Sequence, residues 1–292
     1  MISNKKIWEN LSPEEHERQY NPQKACPNFG EYRALREPAN VRALTDLKRY
    51  ADISYGAHPL RTLDIYPAQS EDESPVHIYL HGGYWRAQDK SNYAFIAGML
   101  VEHGITAVIV NYELCPGSTL DEVVDSALAG VEWVCRNVGQ YGGDPRAISL
   151  SGHSAGAHLV AEVLATDWAS RGVDPGAFVG AIAVSGIYDP APAALTSVNE
   201  ELRLTPETIA NRNVEARPPL VDCPVAVMVG GDEPWHWIDQ SFRYSHHLHR
   251  HGRQPAVQVL PNYNHFNILM PFMQPESPIG ATMLQLARSR QS

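Results

Sequence analysis

The chain has 292 residues, of which 43% are hydrophobic and 19% charged, with 21 glycines and 22 prolines. These values are typical of a globular protein and exclude a disordered or fibrous chain. The formal net charge of −10 at pH 7 repels phosphate backbones and anionic lipid surfaces, so we expect neither nucleic acid nor a membrane as a partner.

The first residues are polar, and no later segment has the ~18 consecutive apolar residues that a membrane span needs. We therefore expect a soluble, cytoplasmic protein. Its cysteines are far apart and form no CxxC pair, which indicates reduced thiols rather than a disulfide framework or a zinc site. They are Cys26, Cys115, Cys135 and Cys223.

The N-terminal segment, residues 1–45, is polar and interrupted by prolines, and predicts a helical arm that packs on the main body. Two short alternating runs, 51–55 and 62–66, follow. A Gly-Ala-His-Pro turn separates them, so they predict an antiparallel hairpin at a sheet edge. We expect residues 46–292 to form a single domain.

From Val76 onward, short apolar runs alternate with amphipathic stretches. Strands that are apolar on both faces belong to a parallel sheet covered by helices. The order strand, helix, strand therefore predicts an α/β fold with a mostly parallel central sheet and helices on both faces. The predicted strands begin at Val76, Thr106, Ala147, Phe178, Pro224 and Ala256, and the predicted helices cover 93–103, 120–138, 155–168, 238–251 and 279–288.

One stretch interrupts this alternation. Residues 189–219 are polar and rich in proline, with weak helical periodicity. We interpret them as a small cap-like excursion above the sheet, because such insertions often cover active sites.

The clearest motif is Gly152-His153-Ser154-Ala155-Gly156, a G-x-S-x-G between a buried strand and a helix. Small residues at both ends permit a strained strand-to-helix turn that presents the Ser154 hydroxyl to a substrate. We therefore assign Ser154 as a nucleophile. A plain Gly/Ser turn is the alternative interpretation of the same pattern.

A serine nucleophile needs a histidine base held by a carboxylate, and in α/β-hydrolases the chain order is serine, acid, histidine. His265 lies in a polar loop after the last predicted strand and is our candidate base. The acid is expected after the strand that ends near Val229, and we assign Asp232. Glu233 stays open as an alternative, although the following proline restricts it, and Asp239 is a third candidate.

When a serine attacks a carbonyl carbon, it forms a tetrahedral intermediate with a negatively charged oxygen. This oxyanion needs hydrogen-bond donors. The segment His81-Gly82-Gly83-Tyr84-Trp85 follows a predicted strand, and the amides of Gly82 and Gly83, with that of Ala155, are the expected donors. The aromatic residues near these loops are expected to line a pocket for a flat substrate, although plain packing is the alternative. They are Tyr84, Trp85, Trp235 and Trp237.

A run of histidines on one predicted helix has no acidic or cysteine partner nearby. We therefore assign no metal, and the chemistry expected here needs no cofactor. The run consists of His246, His247, His249 and His251.

The His-Gly-Gly-Tyr-Trp segment and the Gly-His-Ser-Ala-Gly-Ala-His-Leu segment around Ser154 resemble the kynurenine formamidase (arylformamidase) branch of the hormone-sensitive-lipase-like α/β-hydrolases. Further similarities are Glu-Arg-Gln-Tyr-Asn-Pro in the arm and Ser-Gly-Ile-Tyr-Asp near residue 187, so the resemblance covers most of the chain. It implies an α/β-hydrolase fold with Ser154, Asp232 and His265 as the catalytic triad. The segment 234–237 and the excursion depart from the pattern.

The resemblance implies hydrolysis of N-formyl-L-kynurenine to L-kynurenine and formate. The alternative is a promiscuous short-chain carboxylesterase that uses the same residues on another small amide or ester. A non-catalytic relative that serves as a binding protein is a third hypothesis, but such proteins usually lose the serine or the histidine. The sequence leaves the oligomeric state open, with a homodimer as the assembly that we consider.

Overall fold

The fold is built around one large sheet, seen in a computed structural model that describes residues 6–70 and 73–289. The first five residues of the expected arm and the last three residues of the chain lie outside the described residues. Within the described ranges the strands are β1 (Tyr50–Ser54), β2 (Thr62–Tyr66), β3 (Ser74–Leu80), β4 (Thr106–Val110), β5 (Gly143–His153), β6 (Phe178–Val184), β7 (Val225–Gly230) and β8 (Ala256–Leu260).

These strands form a single sheet in the order β1-β2-β4-β3-β5-β6-β7-β8. The pairs from β4 through β8 are parallel, whereas β1 pairs with β2 and β2 with β4 in antiparallel fashion. The mostly parallel sheet and the antiparallel hairpin at its edge are thereby confirmed.

One strand is less buried than its sequence indicates. We interpreted β8 as a buried strand, but it is the outer strand of the sheet and pairs only with β7. Its side chains Val257 and Val259 remain 39% and 42% exposed. An edge strand has a neighbour on one side only, so an apolar sequence does not by itself bury it.

Helices cover both faces of the sheet. Alternate residues of β4 belong to different hydrophobic clusters: Val108 is in the cluster that includes residues of α5 and α6, and Ile109 is in the cluster that includes residues of α4 and α10. The helices of the described chain are α1 (Pro13–Tyr20), α2 (Pro22–Ala25), α3 (Phe29–Asp46), α4 (Phe95–Glu102), α5 (Leu120–Asn137), α6 (Ala155–Leu164), α7 (Asn199–Leu202), α8 (Pro206–Arg212), α9 (Trp235–Arg250) and α10 (Pro278–Ala287).

The N-terminal arm folds as α1, α2 and α3 and lies against the body at both of its ends. In α1, the Tyr20 hydroxyl is 2.9 Å from Nδ1 of His236, which is at the start of α9. In α3, the Asn40 side-chain amide donates to the carbonyl of Ser91 at 2.7 Å, just before α4. The arm therefore connects α9 with α4.

The excursion of residues 189–219 contains α7, α8 and two short 3-10 helices. Arg212 forms an ion pair with Asp121 of α5 at 2.5 Å, and Arg217 forms one with the buried Glu162 of α6 at 2.6 Å. These contacts hold the excursion against the helices of one sheet face.

A histidine lies inside the sheet. His77 on β3 is fully buried, and its two ring nitrogens are each 2.7 Å from a hydroxyl on β5, those of Ser149 and Ser151. Burial lowers the pKa of His77 to about 3. The ring is therefore neutral in the folded protein, while the unfolded chain binds a proton there below pH ~6.5.

This difference makes stability depend on pH with a known sign. Between pH ~6 and ~4 the unfolded state holds one proton more at His77 than the folded state, so stability falls as pH falls. We expect His77→Gln to reduce the slope of the unfolding free energy against pH by about 1.4 kcal/mol per pH unit in this window. Urea unfolding at several pH values measures the slope.

The matched control is His249→Gln, because the His249 side chain is exposed to water in the folded chain as well. It should leave the slope unchanged. Equal slopes for His77→Gln and the unmodified protein would contradict a neutral, buried His77.

Candidate active site

Ser154 lies between the end of β5 and the start of α6, in a sharp backbone turn. Its φ is +58°, in the left-handed region that non-glycine residues rarely adopt. The glycines of the motif make the turn possible, since a Cβ on Gly152 would lie 2.2 Å from the Gly156 oxygen and one on Gly156 would lie 1.9 Å from the Leu80 oxygen. The turn thus sets the position of the Ser154 side chain.

His265 joins this serine to a carboxylate. Its Nε2 is 3.0 Å from the Ser154 hydroxyl oxygen, and its Nδ1 is 2.6 Å from Oε2 of Glu233. All three side chains are buried. With Nδ1 donating to the carboxylate, Nε2 carries the lone pair that can accept the serine proton.

The structure corrects our choice of the acid. Asp232 is exposed to solvent, and it is Glu233 whose carboxylate contacts His265. The amide of Asp232 donates to the carbonyl of Tyr263 at 3.0 Å, which fixes the turn after β7 with Asp232 outward and Glu233 inward. The restriction by Pro234, which we weighed against Glu233, does not prevent this contact. Asp239 lies on α9 and pairs with Arg243.

The second oxygen of Glu233 is also held. Its Oε1 accepts hydrogen bonds from the Gly230 amide at 2.9 Å and from the Ser185 hydroxyl. Ser185 follows β6 and has a φ of +52°, a second strained backbone conformation at the site. The carboxylate therefore has fixed partners on both oxygens, and this fixes the orientation of the His265 ring. Sequence reasoning did not identify Ser185, although it begins the Ser-Gly-Ile-Tyr-Asp segment noted above.

The expected aromatic pocket is only partly correct, because Tyr84 alone among its four residues lines the cleft. Trp235 is 62% exposed, whereas Trp85 and Trp237 are fully buried as packing residues. Trp237 packs edge-on against the His265 ring at 4.7 Å between centroids and donates its indole N–H to the Ser185 carbonyl at 2.7 Å. It supports the site from behind.

The loop after β3 lies beside Ser154. A Cβ on Gly82 would be 3.3 Å from the Ser154 Cβ, and Gly83 adopts a φ of +116°. In the part of the chain that the structure describes, the amides of Gly82 and Gly83 donate no hydrogen bond to another protein group. Ala155 is the first residue of α6, where the N–H is not used within the helix. These three amides are thus available to an oxyanion beside Ser154.

The cleft in front of Ser154 and His265 is covered by the arm. No residue of the excursion 189–219 is found among the described residues that line it. The arm contributes Asn21, Pro22, Gln23, Phe29, Arg33 and Arg36, and the remaining lining residues are Gly83, Tyr84, Arg86, Ala87, Gln88, Tyr93, His153, Ser154, His265, Phe266 and Leu269.

The chain is similar in sequence to the kynurenine formamidase of Danio rerio. The two are 33% identical over 275 residues, which cover 90% of this chain and 92% of the other. The chain belongs to the kynurenine formamidase family. The kynurenine formamidase of Salmo salar is likewise 33% identical, over 277 residues and with the same coverage of both chains. A family model described as BD-FAE matches residues 63–175.

The fold is that of the α/β-hydrolases, as predicted. The hyperthermophilic esterase from the archaeon Pyrobaculum calidifontis superposes with a TM-score of 0.71, covering 97% of this chain and 99% of the esterase at 17% identity. Membership of the kynurenine formamidase family makes this chain an α/β-hydrolase enzyme.

No group of three or more His, Cys, Asp or Glu side chains within residues 6–70 and 73–289 is arranged to hold a metal ion. No helix there is both long and apolar enough to cross a bilayer.

The position of the acid can be tested by two amide substitutions on adjacent residues. We expect Glu233→Gln to lower kcat by about 10⁴, because an amide at this position favours the wrong imidazole tautomer. Asp232→Asn, the matched control, should change kcat by less than about threefold, since its side chain points to solvent. Steady-state kinetics on one aryl substrate measures both, and the reverse ranking would contradict the assignment.

Proposed function

We propose that this chain is an arylformamidase that hydrolyses N-formyl-L-kynurenine to L-kynurenine and formate. The observation that carries the proposal is the hydrogen-bonded series Ser154, His265 and Glu233 at the base of a cleft, in a member of the kynurenine formamidase family. The same series could hydrolyse a small ester. The geometry therefore supports the hydrolysis of an amide or ester, and membership of the family supports N-formyl-L-kynurenine as the substrate.

In the first half of the reaction, the Ser154 oxygen attacks the formyl carbon while Nε2 of His265 takes the hydroxyl proton. The negative charge that develops on the formyl oxygen is stabilised by the amides of Gly82, Gly83 and Ala155. The C–N bond then breaks, and His265 returns the proton to the aromatic amine as it leaves. This step leaves a formyl ester on Ser154.

In the second half, a water molecule attacks the formyl ester with His265 again acting as the base. The same amides stabilise the second tetrahedral intermediate, and collapse releases formate with the proton returned to Ser154. Glu233 accepts the Nδ1 proton of His265 in a hydrogen bond and stabilises the imidazolium form of the ring. Its bonds from Ser185 and Gly230 keep it in place without a change of position.

Aromatic side chains at the cleft support an aryl leaving group. Phe29 and Phe266 pack together with ring centroids 5.2 Å apart, and Tyr84 and Tyr93 line the same space. Flat apolar surfaces of this kind bind an aromatic ring at little entropic cost. A carboxylesterase with a flexible acyl chain is the alternative, and the non-catalytic alternative is weakened because the serine, the histidine and an acid are all present and in contact.

The location and assembly of the protein stay predictions from the sequence. We propose a cytoplasmic enzyme that acts on a small molecule, with a homodimer as the assembly to test.

The substrate is tested by comparing two rates. We expect kcat/KM for N-formyl-L-kynurenine to exceed that for p-nitrophenyl acetate, although nitrophenolate is the better leaving group, because a site shaped for formyl misplaces a bulkier acyl group. Ser154→Ala is the control and should lower kcat by about 10⁴ or more. Rates that favour the ester and rise from acetate to butyrate would instead support a carboxylesterase.

A further inference from the structure

Two arginines of the arm line the cleft in front of Ser154. Arg33 and Arg36 lie three residues apart on α3 and therefore on the same side of that helix. Arg33 is exposed at the cleft, whereas Arg36 is only 9% exposed. The arm thus brings two positive charges to a site whose proposed reaction does not use them.

Arg36 is held beside the reacting groups. Its Nη1 donates to the carbonyl of Phe266 at 3.1 Å, and Phe266 is the residue after His265. Its guanidinium carbon is 5.3 Å from the centre of the Phe95 ring. The group is therefore oriented by the body of the protein, although the residue belongs to the arm.

Neither arginine has an acidic partner in the ranges that the structure describes. Arg33 donates to the amide oxygen of Asn92 at 3.1 Å, and the Nε of Arg36 is buried without a hydrogen-bond partner. Arg86, which lines the same cleft, differs because it is paired with Glu201. A buried charge without an acidic partner is costly, so Arg36 is better explained as part of a binding site than as a stabilising group.

The described lining of the cleft has no negative charge that would offset the two arginines. No aspartate or glutamate is among the described residues that line the cleft, although the chain as a whole has a net charge of −10. Asn21 and Gln23 of the arm also line the cleft. One N–H of the Asn21 amide donates to Glu17 at 2.7 Å, which leaves its other N–H and the Gln23 side-chain amide as further donors. An anion that enters the cleft therefore meets donors and positive charge but no carboxylate.

We propose that Arg36, together with Arg33, binds a carboxylate carried by the leaving group of the substrate. The site then selects aryl amides that have a carboxylate on the ring side chain over aryl amides of the same shape that lack it. This inference rests on the proposed function for its reacting bond, and it adds the part of the substrate that the arm recognises. N-formyl-L-kynurenine, with its amino-acid carboxylate, has this chemistry.

The experiment compares a substrate that has the carboxylate with an analogue in which a carboxamide replaces it. N-formyl-L-kynurenine and its carboxamide differ only in the carboxylate, and both are assayed with the unmodified enzyme, Arg36→Gln and Arg33→Gln. A charged hydrogen bond contributes enough that loss of Arg36 should lower kcat/KM for the acid by about 10- to 100-fold. The carboxamide should change by less than about threefold, and Arg33→Gln should show the same selectivity with a smaller loss.

Arg42→Gln is the matched control. Arg42 lies on α3 and is exposed, but it does not line the cleft. Its removal takes the same charge from the same helix and should leave both rates unchanged. Equal losses on acid and carboxamide in Arg36→Gln would overturn the proposal, because they would indicate a general structural role.

A second measurement needs no substitution near the site. With p-nitrophenyl acetate as the reporter, L-kynurenine should inhibit the unmodified enzyme at least about tenfold more strongly than L-kynurenine carboxamide does. Equal inhibition would overturn the carboxylate site even if the arginine variants fail to fold.

A pair of esters distinguishes failure of the formamidase proposal from failure of the carboxylate site. O-acetyl-L-tyrosine and its carboxamide are aryl esters that differ in the same carboxylate. If the enzyme hydrolyses neither formamide but prefers the ester that has the carboxylate, and loses this preference in Arg36→Gln, the carboxylate site stands and the formamidase proposal fails. If both formamides are cleaved with no preference for the carboxylate, the formamidase proposal stands and the carboxylate site fails.

Discussion

The hydrogen bond between Glu233 and His265 is the interaction on which the rest of the site depends. Ser154, Ser185, Glu233 and His265 follow β5, β6, β7 and β8, four successive neighbours in the sheet. Neighbouring strands lie about 4.8 Å apart, so the end of β8 is about 14 Å from that of β5. The loop after β8 must therefore return across two strands to bring His265 to Ser154. The Glu233 carboxylate, after β7, lies along that path and orients the His265 ring.

The sequence was sufficient for the parts of this arrangement that depend on local pattern. Ser154 was predicted because its motif lies between a buried strand and a helix, and His265 because one histidine follows the last strand. The choice between Asp232 and Glu233 could not be made in this way. It depends on which adjacent side chain faces inward, and that is set by the bond from the Asp232 amide to the Tyr263 carbonyl, about thirty residues away in the chain.

The positions of the aromatic residues also could not be predicted from the local sequence pattern. Trp235 and Trp237 are neighbours in sequence, but both lie in the first turn of α9, where residues two apart point about 200° away from each other. One is therefore exposed while the other packs on His265. The fold was easier to predict, because apolar runs of the central strands reflect burial on both faces, and only the edge strand β8 departed from this rule.

The arm connects substrate recognition to the position of the acid. Tyr20 bonds to His236, and the Gln19 side chain accepts a hydrogen bond from the His236 amide at 3.1 Å, only three residues after Glu233. The Tyr84 hydroxyl donates to the Tyr20 carbonyl at 2.8 Å, which joins the arm to the loop that also carries Gly82 and Gly83. The packing of the arm therefore constrains both the turn that carries Glu233 and the loop that carries Gly82 and Gly83. These contacts are made by α1, and the arm continues from them through α2 to Arg36 on α3. The segment that would bind the substrate therefore also holds the catalytic loops in register, and the site is complete only when the arm is in place.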